Sequence, residues 1–243
     1  MKKLTIITQN LNRKLDIENI NKYIDEYEAD IYAFQELKSG RYGITEIIDK
    51  PNYKEVNEIY KEIYKGNSDE ERLMKCSFPW LEFKSGYWME KIIKFDNKEI
   101  IIFNFHSSLY YSIQLRYVLL KRLEELKGKY VILLGDFNAA FKYQSENIIP
   151  ENDQFLSFLT NKYEYMELCN DKEDEKKPHY TFMHHGKRKK LDHIFVSKNL
   201  YHNIRYKINY IDEVNYNFDE YKKNKGISTD HFGIKLTFSF KFQ

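Results

Sequence analysis

Four short apolar runs in this chain each stop on a side chain that a simple turn does not need. Residues 4–8 run into Asn10, residues 31–34 into Glu36, residues 100–105 into His106, and residues 131–134 into Asp136 and Asn138. Runs rich in β-branched and aromatic residues and bounded by polar ones read as buried strands. One polar strand end means little, because strands commonly finish in polar turns. Polar ends on separate strands, however, converge on one rim of a sheet, where a rigid scaffold presents reactive groups.

The rest of the chain supplies partners for these strands. Residues 17–27 carry apolar side chains at 17, 20, 24 and 27, a helical spacing, with Asp16 as N-cap. A second amphipathic helix is predicted over residues 112–126, with Leu115, Leu119, Leu123 and Leu126 on one face and Gly128 at its end. Residues 153–159 read as a third helix. Further strands are expected over 86–95, 99–105, 180–183, 190–196, 204–211 and 232–240, with a turn at Asp96-Asn97-Lys98. Residues 40–75, rich in Glu, Lys and Tyr, read as surface helix and loop, and 170–177 as a solvated loop. Strands pair first with helices and later with each other. That order predicts two packed sheets with helices outside, an α/β or α+β fold. No repeat and no Pro/Gly/Ser-rich linker interrupts the 243 residues, so one domain over 1–243 is expected.

Composition narrows the partners. The net charge is only +2, so any affinity for phosphate must come from a local patch. The 21 Tyr and 17 Phe follow from AT-rich coding as readily as from base stacking. Cys76 and Cys169 form no disulfide framework or zinc spacing. No stretch approaches the ~20 apolar residues of a membrane span, and the N-terminal apolar run is too short for a signal sequence. A cytoplasmic monomer away from membranes is expected.

Glu36 and Asp136 are hard oxygen ligands of the type that suits Mg²⁺, which needs only one or two carboxylates beside water and substrate phosphate. Asn10 and Asn138 add amide groups able to hold a metal, a phosphate oxygen or a water. His231 is the acid–base candidate, since imidazole titrates near neutral pH. Taken singly, each has a plainer role: a surface acid, turn residues, a half-buried histidine. His184-His185 carries no metal reading, because adjacent side chains point apart.

In order along the chain stand Thr8-Gln9-Asn10-Leu11-Asn12, Phe34-Gln35-Glu36-Leu37-Lys38, Phe105-His106-Ser107-Ser108, Leu134-Gly135-Asp136-Phe137-Asn138, Leu191-Asp192-His193-Ile194-Phe195 and Ser228-Thr229-Asp230-His231. With these segments the chain resembles the endonuclease/exonuclease/phosphatase superfamily, which includes DNase I. The resemblance implies a four-layer α/β/β/α sandwich and a Mg²⁺-dependent (or Mn²⁺-dependent) phosphodiester hydrolase. It implies Glu36 as principal metal ligand with Asn10 and Asp230 nearby, Asp136 positioning the water, and Asn138 on the scissile phosphate. His231 would be polarised by Asp192, and His106 would face the leaving group, as in the DNase I branch. Asn12 and Arg116 join the expected substrate contacts, although Arg116 alone reads as a solvent-facing helix residue. The basic run Lys187-Arg188-Lys189-Lys190 just before Asp192 could track a phosphate backbone or form a solvated hairpin tip. The resemblance also leads one to expect an acidic partner for His106, with Asp69, Glu70, Glu71, Glu82 and Glu90 as candidates. A nuclease acting on DNA or RNA is the leading expectation. A phosphatase or phosphodiesterase for small or lipid phosphates, such as inositol phosphates, is the alternative. A non-catalytic scaffold would have no need of the acidic and histidine set.

Overall fold

Alternation along the central strands decides the architecture. In β5 (Lys98–His106), Ile100 and Ile102 join one apolar cluster, while Ile101, Phe103 and Phe105 join another. In β6 (Tyr130–Asp136), Ile132 and Leu134 join the first and Val131 and Leu133 the second. A period of two sends successive side chains to opposite faces, so both strands are covered on both sides.

The structure is a computed structural model and describes residues 2–11, 23–37, 44–49, 88–107, 112–141, 150–169, 180–184, 187–211 and 231–241. Two five-stranded sheets carry the fold. The first runs β11 (Ile204–Ile211), β12 (Gly233–Phe240), β1 (Leu4–Asn10), β2 (Ile31–Leu37), β3 (Ile44–Asp49). The second runs β4 (Trp88–Phe95), β5, β6, β10 (Asp192–Ser197), β7 (Tyr165–Glu167). Both are mixed: β1 and β2 are parallel, as are β5 and β6, and the other pairs are antiparallel. A two-stranded hairpin, β8 (Phe182–His184) and β9 (Lys187–Lys189), stands apart.

The first apolar cluster lies between the sheets. It joins Ile6 of β1, Ile31 and Ala33 of β2 and Leu236 of β12 to Ile102, Ile132, Leu134 and Ile194 of the second sheet. The other fills the space under α1 (Ser112–Glu125) and α2 (Pro150–Asn161), where Leu119, Leu123, Phe155, Leu156 and Leu159 meet the outer face of the second sheet. A helical turn at 23–26 sets Tyr23 edge-on to Phe34 on the outer side of the first sheet. The layers are therefore α/β/β/α, as expected. A short α3 (Lys198–Asn203) follows β10 and buries Leu200.

The β4–β5 hairpin turns at Asp96 (φ 54°) and Asn97 (φ 61°), the two positive-φ positions of a primed turn, where these residue types are tolerated. Residues 44–49 correct the surface-helix reading. Their apolar spacing at 44, 47 and 48 mimics a helix, but backbone pairing with β2 makes them an edge strand. β7 and α3 are too short to announce themselves by periodicity. The expected helix over 17–27 is described only from residue 23, and 170–177 lies outside the described residues. Among the described residues, no helix is long and apolar enough to cross a membrane.

Gly135 is needed where β6 passes β5. Its φ is +128°, and a Cβ there would lie 2.1 Å from the Phe105 carbonyl oxygen. That contact is with backbone, so β5 and β6 would have to separate. Gly135→Ala is expected to cost about 3 kcal/mol or more, a fall in Tm of roughly 6–12 °C for a chain of this size. A thermal scan giving the wild-type Tm would refute this.

Candidate active site

The face that packs the two sheets together runs out of apolar residues at one end. Along β5 the inward parity continues from Ile102 to Asn104 and His106, along β6 from Leu134 to Asp136, and along β10 it begins at Asp192. In register, Asp136 pairs with His106 on one side and with Asp192 on the other. From the first sheet, the same inward parity brings Thr8 and Asn10 of β1 and Gln35 of β2. A polar layer separates core from rim: the Gln35 amide donates to Thr8 Oγ1 (3.0 Å) and to Asn104 Oδ1, and Asn104 donates to the Phe34 carbonyl (2.9 Å).

Above that layer the two sheets meet through charged and amide groups. Asn10 Nδ2 donates to Asp136 Oδ2 at 2.9 Å and to Glu36 Oε1 at 3.3 Å. His106 Nε2 lies 3.4 Å from Glu36 Oε1 and 3.8 Å from Asp136 Oδ2. His231 Nδ1 is 2.8 Å from Asp192 Oδ2, and its Nε2 is 3.8 Å from Asp136 Oδ2. Asn138 donates its backbone N–H to Asp136 Oδ1 (2.8 Å) and its side-chain amide to the Ser107 carbonyl (2.7 Å), with a long 3.4 Å approach to Asp136 Oδ2.

Backbone geometry aims these groups. Glu36 has φ 51° at the point where the β2–β3 register shifts, so a bulge turns its carboxylate onto the rim. Asn138 has φ 45°, a left-handed conformation that Asn tolerates better than most residues. His231 bridges to Phe182, whose ring centroid is 4.9 Å from the imidazole, and its carbonyl accepts from Gln9 Nε2 at 2.8 Å. Thr181 Oγ1 accepts from the backbone N–H groups of Leu191 (3.0 Å) and Asp192 (2.9 Å), fixing the start of β10.

Burial pushes the Asp192 carboxyl above the usual range; His231 opposes that push and Asp136 adds to it. A carboxylate held against Nδ1 keeps the imidazole in one orientation, with its Nε2 turned toward Asp136. The Glu36, Asp136 and His106 ligand atoms all lie within 4.8 Å of one another, as do those of Asp136, Asp192 and His231. Glu36 and Asp136 share the hydrogens of one amide, so a cation between them would neutralise two carboxylates at once. Hard oxygens of this kind suit Mg²⁺ or Mn²⁺. Glu36 and Asp136 fit such an ion, and Asn10 could present its amide oxygen to it after a flip of the side-chain amide.

Of the residues expected at the site, Asn10, Glu36, His106, Asp136, Asn138, Asp192 and His231 are brought together. Asn12 and Asp230 lie outside the described residues, as do Asp69, Glu70, Glu71 and Glu82. The remaining candidate partner of His106, Glu90, is instead gripped by Arg122 through bonds of 2.7 and 3.0 Å. Lys187, Arg188 and Lys189 form β9 of the hairpin that leads into Asp192.

Two expectations are corrected. Lys190 does not reach for substrate: it is 3% exposed, and its ammonium lies 2.7 Å from Glu167 Oε1. A buried ammonium demands a counter-charge, and β7 supplies it. Arg116 does not face solvent: it is buried over the Phe155 ring at 4.9 Å, and Nη2 donates to the backbone carbonyls of Phe137 (3.3 Å) and Asn138 (3.4 Å). Burial lowers its guanidinium pKa to about 10.

Sequence reading missed Gln9, Gln35, Asn104, Thr181 and the buried His193–Glu167 pair. Asn104 was detectable, as a polar residue inside the apolar run Ile100-Ile101-Ile102-Phe103-Asn104-Phe105. Glu167 carries no local signal.

The chain matches the Endonuclease/Exonuclease/phosphatase family over residues 7–231. It belongs to that family. Membership makes it a phosphoester hydrolase of the DNase I-like fold, and the residues matched run from the middle of β1 to His231. No curated protein sequence matches it. Solved structures share the fold of the Endonuclease/Exonuclease/phosphatase family at low identity. The endonuclease domain of TRAS1, a telomere-specific non-LTR retrotransposon, is 15% identical, with 99% of each chain covered and a TM-score of 0.61. An AP endonuclease from Leishmania major is 13% identical, covering 97% of this chain and 87% of its own, with a TM-score of 0.66. A 3' phosphatase from Neisseria bound to a product DNA hairpin is 15% identical, covering 98% of this chain and 100% of its own, with a TM-score of 0.59.

The buried charges make a stability prediction. Burial alone would raise the Glu167 pKa, but Lys190 and His193 outweigh it and lower the value from 4.5 to about 2. A depressed carboxylate contributes stability that is full above its unfolded value and is lost as pH falls through the folded one. Glu167→Gln is therefore expected to cost about 3–5 kcal/mol at pH 7, by leaving Lys190 buried without its counter-charge. The difference from wild type should shrink between pH 4.5 and 2. Denaturant midpoints at pH 7 and pH 3 test this; a difference independent of pH would refute it.

Proposed function

We propose that this family member, a single domain over residues 1–243, is a divalent-metal-dependent nuclease that cleaves DNA or RNA by in-line attack of an activated water. One observation carries the reading. A single carboxylate oxygen, Asp136 Oδ2, is approached by Asn10, Asn138, His106 and His231 at 2.9, 3.4, 3.8 and 3.8 Å. The four belong to different strands or turns of the two sheets, so the fold converges on the place where a reacting group would sit.

Each side chain then has a role that follows from its bonds. His231 gives its Nδ1 hydrogen to Asp192, so Nε2 can take a proton from a water lying between it and Asp136. Asp136 orients that water. Asn138 keeps its short bond to Ser107 and exchanges the 3.4 Å approach for a phosphate oxygen. His106, beside Glu36, is the donor for the leaving oxygen. A divalent ion held by Glu36 and Asp136 with Asn10 beside them, and by the family resemblance with Asp230, would supply the charge that offsets the phosphate's repulsion of an incoming nucleophile. The hairpin carrying Lys187, Arg188 and Lys189 runs into the start of β10 and favours a polyanionic substrate over a small phosphate. The two dispersed cysteines suit a reducing compartment such as the cytoplasm.

A panel of plasmid DNA, single-stranded DNA, abasic duplex, structured RNA, poly(A) and inositol phosphates, each with Mg²⁺, Mn²⁺ or EDTA, tests the reading. Nucleic-acid cleavage that disappears in EDTA is expected. Cleavage surviving EDTA would refute the metal requirement, and hydrolysis of inositol phosphates alone would make the chain a small-molecule phosphatase. His231→Ala is expected to lower kcat by roughly 10²–10⁴-fold; a folded variant at the wild-type rate would remove the histidine from the chemistry.

A further inference from the structure

The turn after β6 is held from its inner side by two buried side chains. Its three consecutive carbonyls, those of Phe137, Asn138 and Ala139, all accept from buried groups. Arg116 Nη2, from α1, reaches the first two at 3.3 and 3.4 Å, and His193 Nε2, from β10, lies 2.8 Å from the third. A backbone carbonyl can only accept, so His193 Nε2 bears a hydrogen. The other ring nitrogen, Nδ1, lies 2.7 Å from Glu167 Oε1, and the same oxygen is 2.7 Å from the Lys190 ammonium. His193 is fully buried, and its parity on β10 turns it to the helix-side core, opposite to Asp192.

The hydrolysis described above makes no use of either residue. We propose that Arg116 and His193 are positioning residues for it: by holding these carbonyls on the inner side, they keep Asn138 in its left-handed conformation with its side chain on the rim. The proposal rests on the reading of Asn138 as the residue that holds the scissile phosphate.

Magnitudes separate this role from simple packing. Burying a guanidinium beside Phe155 costs stability that an apolar side chain of similar volume would not. A leucine would fill that space, but it could not donate to two carbonyls. The left-handed Asn138, in turn, is a conformation that persists only where its surroundings over-determine it. Asp136 Oδ1 and the Ser107 carbonyl hold Asn138 on the rim side. Arg116 and His193 are the matching holds beneath. Without them, three consecutive carbonyls lose these donors, two of them buried, and the turn has reason to rotate.

The test uses the full chain with Mg²⁺ and bis(p-nitrophenyl) phosphate, comparing Arg116→Ala, Arg116→Lys, His193→Gln and Asn138→Ala with the Arg116→Ala/Asn138→Ala double variant. A shift of the order of 1 Å at a reacting group costs roughly 10²-fold. Arg116→Ala is expected to lower kcat by about that factor, with KM changed by less than about threefold. Added guanidinium ion should restore part of the rate, and added urea, a neutral molecule of the same shape, should not. In the Asn138→Ala background the same substitution should cost less than about twofold, because a brace has nothing left to position. His193→Gln retains a donor for the Ala139 carbonyl and should keep most of the activity. Should Arg116→Ala fail to fold, Arg116→Lys carries the same comparison, with the Asn138 amide resonances in a ¹⁵N spectrum displaced from their wild-type positions. An Arg116 effect of equal size with and without Asn138, or unchanged kcat and Asn138 resonances in folded variants, would overturn the brace while leaving Asn138→Ala inactive. Full activity in Asn138→Ala would instead overturn the reading of Asn138, and the brace with it.

Discussion

The two sheets of this chain are joined at one end by polar groups, and the bond from Asn10 to Asp136 is the centre of that seam. A hydrogen bond to a buried carboxylate is worth about 1.5–3 kcal/mol, more than one between neutral groups. It also has direction, which apolar contact lacks. The apolar cluster between the sheets holds them face to face, but many small sliding motions would keep it buried. The Asn10–Asp136, Gln35–Asn104 and His231–Asp192 contacts each fix a point on one sheet against a point on the other. The site is thus a consequence of how the sandwich is registered, and the same contacts that position it also select that register.

Much of this was legible from the chain alone, for a physical reason. A period-two pattern marks a strand and also marks which face each residue takes, so the end of an apolar face locates the rim. Asn10, His106 and Asp136 were found in that way, and the His231–Asp192 pairing followed from family resemblance. What escaped was whatever depends on contact between distant segments. Lys190 looks like the last residue of a basic run, and only the position of Glu167 on a neighbouring strand turns it inward. Arg116 has the helical spacing of a surface residue, and only the seat provided by Phe155 and the 137–139 carbonyls buries it. The strand at 44–49 shows the same limit, since its apolar spacing agrees with a helix and its pairing with β2 overrules it.

The first sheet places β1 between β2 and β12, so that its central strand is completed only by a segment from the far end of the sequence. His231 stands at the threshold of that segment, and its carbonyl is tied to Gln9. Synthesis proceeds in the opposite order to this closure. A nascent chain on the ribosome can pair β5 with β6 and cover them with α1 long before β12 exists, and through that interval β1 presents an unpaired edge. Among the described strands β12 follows all the others in the sequence, so the segment that covers the edge of β1 is also the one that brings His231 against Gln9 and Asp192.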